Sequence, residues 1–254
     1  MTTLPHSLNR TVFIRATPAT VFRFFTDSDR WAQWWGTGST IDARPGGSMK
    51  IRYPNGVEAS GEVLEVAAPT RVVFTMGYAS GNPMPPGASR VSIKLVPHAE
   101  GTRLDLTHEF ADVVVRDEHV QGWRYQLSLF GNVVANEVNA GVSKAIDRWL
   151  ALWSETDAGA RERTLREIAT SGVKFHDRYS MTDGLEDLVP HIGAAQRFMP
   201  GFALKRDGDV RHCQGTALAE WVAVGPDGQQ RGSGTNVFVL APDGKIELVT
   251  GLWR

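Results

Sequence analysis

The stretch VKFHDRYS sets an aspartate among apolar neighbours. With the two-residue period of a strand, Val173, Phe175, Asp177 and Tyr179 share one face, and Lys174, His176 and Arg178 share the other. A carboxylate on an apolar face is costly unless it is hydrogen-bonded or used, and burial would move its pKa up towards that of a general base. The other reading is a local turn or cap contact just after a helical stretch. Asn236 raises the same question, because GTNVF puts it in line with Gly234, Phe238 and Leu240.

The first half of the chain holds polar residues in similar positions. In TRLDLTHEF, Leu104, Leu106, His108 and Phe110 share a face, so His108 is either a core histidine bonded to a neighbour or a ligand contact. Met49, Ile51 and Tyr53 form one such face, and Val72, Phe74, Met76 and Tyr78 another. A tyrosine or histidine at the end of an apolar face gives a cavity its few polar contacts. His119, Trp123, Leu127 and Phe130 recur at helical spacing. In DRWAQWWG, Trp31, Trp34 and Trp35 crowd one side of a helix. Trp31 and Trp34 read as packing, and Trp35, beside Gly36, as the ring at a cavity mouth. The ligand-contacting set expected here is Trp35, Tyr53, Phe74, Met76, Tyr78, His108, Trp123 and Leu127.

Other chemistries find little support. The first half pairs no nucleophile with a base, and the seven histidines show no metal-ligand spacing. RPGGS and RGSGT lie between strands rather than between a strand and a helix, so neither reads as a phosphate loop. The GxSxG elbow and the zinc-protease motif are missing. No metal or cofactor is therefore expected.

These residues must be held by elements that the pattern also suggests. A strand at Asn9–Arg15 precedes ATPATVFRFFTD, where Thr17 can cap a helix and Pro18 open it. A second short helix runs to Trp35 and stops at Gly36. From Ser39 to Ala111 the period becomes two, broken by turn signals, which reads as about six antiparallel strands before a long helix. The second half opens around Asn136 with helices. GLEDLVPHIGAAQRFMP reads as two short helices broken at Pro190. Strands follow at Ala203–Asp207, Thr216–Val224, Gly232–Leu240 and Lys245–Trp253, with GPDGQQ and APDGK as hairpin turns. Each half is α+β, and the order of elements differs between them.

The composition suits two ordinary globular domains: 254 residues, 42% hydrophobic and 22% charged. A formal charge of −1, spread evenly, carries no nucleic-acid or anionic-lipid footprint, and no apolar run is long enough to span a membrane. One cysteine, Cys213, and an N-terminus without the apolar run of a signal peptide fit a cytoplasmic protein.

ATPATVFRFFTD, WAQWWG, GEVLEVAAPTRVVFT, GTRLDLTHEF and HVQGWRYQLSLF, in that order, resemble the bacterial proteins named after the activator of the heat-shock chaperone ATPase, within the START-like (SRPBCC) superfamily. The resemblance implies a helix-grip fold with an apolar cavity over residues 1–135, and no shared catalytic residue. AIDRWLALWSETD, VKFHDRYS and GSGTNVFVLAPDGKIELVTGLW resemble the SnoaL-like and ketosteroid isomerase branch of the nuclear transport factor 2-like superfamily. That implies a cone-shaped α+β barrel over residues 136–254.

Carried onto this chain, the resemblance places Asp177 at the proton-shuttling aspartate and Asn236 at the oxyanion donor, a role an amide fills without a raised pKa. Trp149 stands in place of the catalytic tyrosine, and Trp253 at an aromatic wall. Tyr179, Trp153 and Phe238 complete the expected pocket. The resulting expectation is a protein that binds small apolar molecules, with isomerase- or cyclase-type proton transfer in its second domain. The alternatives are a carrier or sensor without turnover and, on the family name alone, a chaperone regulator. The family also implies a homodimer.

Overall fold

The computed structural model describes residues 3–254. The chain forms two compact units, Met1–Ala135 and Asn136–Arg254, and each mixes helix with sheet.

The first unit opens with β1 (His6–Ile14), α1 (Pro18–Arg23) and α2 (Ser28–Trp35). The strands β2 (Thr40–Ile41), β3 (Ser48–Arg52), β4 (Glu58–Ala67), β5 (Arg71–Tyr78), β6 (Ser89–His98) and β7 (Gly101–Phe110) follow, and then α3 (Val113–Val138). Chain neighbours pair as an antiparallel meander and β1 closes onto β7, giving the order β1-β7-β6-β5-β4-β3-β2. Thr17 caps α1 with its side chain and Pro18 takes the first turn, where its missing N–H is not needed. Asp27 caps α2 through the Arg30 amide. Gly36 ends that helix at φ +130°, and a Cβ there would lie 2.4 Å from the carbonyl oxygen of Arg52, so only glycine lets the chain turn against β3.

The core of this unit is aromatic. Trp31, Trp34, Phe24, Phe25, Phe74 and Phe130 are fully buried. Edge-to-face contacts join Trp34 to Phe130 at 4.9 Å and Trp31 to Phe74 at 5.7 Å, so α2 is fastened to α3 and to the sheet by its tryptophan stripe.

The second unit contains α4 (Val142–Ala151), a 3-10 turn at Leu152–Ser154, α5 (Ala158–Ile168), β8 (Ala169–His176), β9 (Met181–Asp183) and α6 (Leu185–Phe198). The strands β10 (Ala203–Cys213), β11 (Thr216–Val224), β12 (Gln230–Leu240) and β13 (Ile246–Trp253) complete it. The sheet order is β10-β11-β12-β13-β8-β9, and β13 runs parallel to β8. Inward residues such as Ala217, Ala219, Trp221 and Ala223 alternate with less buried ones and meet Ile146, Trp149, Leu165 and Leu188 from the helices.

Two sequence readings need correction here. α6 runs unbroken through Pro190. A proline inside a helix costs about 3 kcal/mol, but Leu185, Leu188 and Ile192 on either side are buried, and each contributes roughly 1.5–3 kcal/mol. Separately, β8 stops at His176, so the strand face shared by Val173 and Phe175 does not extend to Asp177 and Tyr179. Those two residues belong to the turn between β8 and β9, and Tyr179 is 70% exposed.

Candidate functional site

The turn after β8 is closed by hydrogen bonds between Asp177 and Ser180, with the Asp177 amide donating to the Ser180 carbonyl at 2.9 Å. Within it, Asp177 Oδ1 accepts from the Tyr179 amide at 2.8 Å, as an aspartate that opens a turn commonly does. The other oxygen, Oδ2, accepts from Trp253 Nε1 at 3.1 Å. One carboxylate oxygen thus holds the turn, and the other meets an indole.

That indole belongs to the wall of a cavity of about 590 Å³, which Trp153, Phe175, Asp177, Tyr179, Asn236 and Trp253 line. Asn236 comes from β12 and is 4% exposed. Its Oδ1 accepts from Trp221 Nε1 at 2.9 Å, which fixes the amide and leaves Nδ2 as the donor end. In the β12–β13 pairing Asn236 faces Gly251. A Cβ on Gly251 would sit 3.0 Å from the Asp177 Cβ and 3.2 Å from Asn236 Oδ1. The missing side chain therefore brings a carboxylate and a primary amide to either side of one backbone position.

Trp149 and Phe238 are not among the residues that line this cavity. Both are fully buried, with ring centroids 6.2 Å apart, and the Trp149 indole N–H has no partner within the described residues. Trp149 is core, because α4 presses it under Phe175 at 5.8 Å, and it does not offer its N–H to the cavity. The lining residues outside the expected set include a polar pair, His191 and Ser180, whose Nε2 and Oγ lie 2.8 Å apart. In the sequence His191 follows the buried Leu188 by three positions, which places it on the flank of α6, but its partner lies across a turn.

The first unit has its own cavity, of about 610 Å³, with Trp35, Tyr53, Met76, Tyr78, His119 and Trp123 among its lining residues. Trp34 also reaches it, whereas Phe74, His108 and Leu127 do not. Those three lie deeper: Phe74 and His108 are fully buried and Leu127 is 3% exposed. His108 is a satisfied core histidine. Its Nδ1 accepts from Trp123 Nε1 at 2.9 Å, so Nε2 carries the proton and donates to Ser89 Oγ at 2.8 Å. Ser89 in turn donates to the Met76 carbonyl at 2.7 Å. Burial, with a smaller repulsion from His119, holds the His108 pKa well below the usual 6.5.

Around the first cavity, His119 Nδ1 lies 2.7 Å from the Val115 carbonyl and Nε2 lies 3.0 Å from the Tyr78 hydroxyl. Burial lowers the His119 pKa, while the Val115 carbonyl and Glu118 oppose the shift. Burial raises the pKa of the Tyr53 and Tyr78 phenols. Among the described residues, no cluster of three or more His, Cys, Asp or Glu could hold a metal ion.

Residues 15–135 match the family described as Activator of Hsp90 ATPase homolog 1-like protein. No curated protein matches the chain significantly. Among solved structures, a protein of the SnoaL-like family from Agrobacterium tumefaciens is 22% identical, with 46% of this chain and 98% of that one covered at a TM-score of 0.43. The Aha1 dimer from Colwellia psychrerythraea is 18% identical, with 48% and 90% covered at 0.42. CalU16 from Micromonospora echinospora is 25% identical, with 54% and 80% covered at 0.41. The N-terminal region of this chain, residues 15–135, is thus similar to the Activator of Hsp90 ATPase homolog 1-like family.

Proposed function

We propose that the chain is a two-domain protein, a START-like helix-grip domain over residues 1–135 and a SnoaL-like domain over 136–254, that binds small apolar molecules. In this reading the second domain moves a proton on its ligand. Asp177 takes a proton from a carbon next to a carbonyl group. Asn236 Nδ2 donates to the oxygen on which negative charge develops, and Asp177 returns the proton elsewhere on the molecule. Trp153, Tyr179 and Trp253 enclose the apolar body of the substrate.

The observation that carries this reading is the approach of Asp177 and Asn236 across Gly251 in the cavity wall. A base and an oxyanion donor have to meet the same few atoms of substrate, and here they flank one residue. The apolar surroundings strengthen both interactions, because fewer waters compete for the charge.

The ring opening of 5-nitrobenzisoxazole tests the base alone, since it requires only removal of a carbon-bound proton within an apolar site. Asp177→Asn should lower this rate by about 100-fold or more while the fold is kept. An unchanged rate favours the second reading, a carrier without turnover. The carrier reading draws on the first unit, where His119 is bonded to Tyr78 and His108 to Ser89 rather than left free. Chaperone regulation rests on the family likeness alone.

We further place the protein in the cytoplasm as a homodimer, without nucleic-acid or membrane partners. The exposed, unpaired Cys213 supports a reducing compartment, and no helix among the described residues is long and apolar enough to cross a membrane.

A further inference from the structure

Proton transfer by Asp177 and Asn236 leaves a second pair of proton-carrying groups in the same wall unused. His191 Nε2 and Ser180 Oγ lie 2.8 Å apart, and both residues line the second cavity. Their place relative to Asp177 follows from the turn. Asp177 and Ser180 exchange both backbone hydrogen bonds, at 2.9 and 3.4 Å, one step beyond the pairing of His176 with Met181. Residues paired in this way carry their Cβ atoms about 5 Å apart on one side of a hairpin. α6 supplies His191, whose ring lies 6.2 Å from that of Trp153 and 6.4 Å from that of Phe175.

The other polar residues of this wall are three tryptophans, Gln196, Arg231, Asn236 and Tyr179. Indole, amide and guanidinium N–H groups donate hydrogen bonds but hold their protons at neutral pH. Tyr179 stands at the tip of the turn and is largely exposed, where water competes with any ligand. Isomerisation needs one proton-transfer group, because Asp177 both takes and returns the proton. Loss of water from a β-hydroxy carbonyl compound needs two: a base for the proton beside the carbonyl and an acid for the hydroxyl that leaves the next carbon. Groups about 5 Å apart on one side can each come within the roughly 3 Å reach of proton transfer to adjacent carbons of one molecule.

We infer that the second cavity takes β-hydroxy carbonyl compounds with an apolar body and removes water from them, proton and hydroxyl leaving from the same face. The inference rests on the reading of Asp177 as base and Asn236 as oxyanion donor, and it adds the substrate class. Asp177 takes the α-proton, and the electron pair of that C–H bond, held meanwhile as the oxyanion facing Asn236, becomes the new C=C bond. The C–O bond breaks with its pair on the leaving oxygen, which takes the Ser180 proton and departs as water. A protonated His191 replaces the proton on Ser180 through Nε2, and solvent carries the proton from Asp177 back to His191. Ser180 is the catalytic residue of this step, and His191 is a positioning residue that acts through it.

Two substrates given to the full chain at neutral pH test it: racemic 4-hydroxy-4-phenylbutan-2-one and its ester, 4-acetoxy-4-phenylbutan-2-one. Both yield 4-phenylbut-3-en-2-one, which liquid chromatography measures. Acetate leaves without taking a proton, so the ester needs the base but not the acid. Asp177→Asn should slow both reactions about 100-fold. Ser180→Ala and His191→Gln should each slow loss of water at least about tenfold and change loss of acetate by less than about twofold, a split that a merely structural role in the turn would not produce. If loss of water falls selectively in neither variant, the inference is overturned. If the native chain releases acetate but not water, the inference fails and the reading of Asp177 as base stands. If it releases neither, both fail.

Discussion

The two cavities have nearly the same volume and opposite treatments of their polar groups. In the first unit, Trp123, His108, Ser89 and the Met76 carbonyl form one closed chain, and Tyr78, His119 and the Val115 carbonyl form another. Every proton in these chains has an acceptor inside the protein. In the second unit, Trp221 and Trp253 each donate to a cavity residue, and what they orient is a carboxylate and the amide of Asn236, whose Nδ2 is left over. A wall that satisfies itself suits binding, and a wall that orients reactive groups and leaves a donor free suits chemistry. The difference lies in which side chains hydrogen-bond whom, because both units are built from similar α+β parts.

The largest expected break is in the packing that supports the first cavity. Trp34→Ala removes a ring that touches Phe25, Trp31, Trp35 and Phe130, and should cost about 3–5 kcal/mol in urea unfolding. His108→Leu leaves the Trp123 N–H without an acceptor and should cost about 1–3 kcal/mol.

That histidine also gives the first unit a pH signature. Burial depresses the His108 and His119 pKa values below 6.5, so below that pH the unfolded chain binds protons that the folded chain refuses. Stability is full above pH 6.5 and falls as the pH drops below it, by at most about 1.4 kcal/mol per pH unit for each group. Denaturant midpoints between pH 7.5 and 5.5 check this, and His108→Leu should flatten the slope.

A smaller change sharpens the contrast from the other side. Gly251→Ala introduces a methyl group 3.0 Å from the Asp177 Cβ and 3.2 Å from Asn236 Oδ1. Separating the pair should lower proton transfer about tenfold, equivalent to roughly 1.4 kcal/mol, with no comparable effect on ligands of the first cavity. Equal losses in both would mean that the substitution disturbs the fold instead.

Much of this architecture was legible in the sequence because local rules decided it. Thr17 before Pro18, and Gly36 after the tryptophan stripe, mark helix ends by hydrogen-bonding and backbone constraints that need no distant partner. Alternation likewise exposed the strands. What alternation could not supply was depth along a strand. Phe74 and Tyr78 share a face of β5, yet Phe74 is sealed in the core and Tyr78, four residues on, lines the cavity. His108 fell on the correct face, but Ser89 and Trp123, which satisfy it, come from other elements.

The candidate site was legible to a similar degree. Asp177 and Asn236 were noticed as polar residues in apolar company, whereas their approach depends on the parallel pairing of β13 with β8, which places Gly251 between them. The end of β8 at His176 and the continuity of α6 through Pro190 were hidden for one reason. A turn closed by Asp177 and a helix held by Leu188 and Ile192 are settled by contacts outside the local window.

The contrast between the units is tested most directly by the exchange of α-protons of 2-cyclohexenone in D₂O, followed by NMR for the native chain, Asp177→Asn, Asn236→Leu and Tyr78→Phe. The account predicts catalysed exchange that falls about 100-fold in the first variant, at least tenfold in the second, and not at all in the third. Exchange that survives Asp177→Asn but is lost in Tyr78→Phe would place the chemistry in the wrong unit and contradict the account.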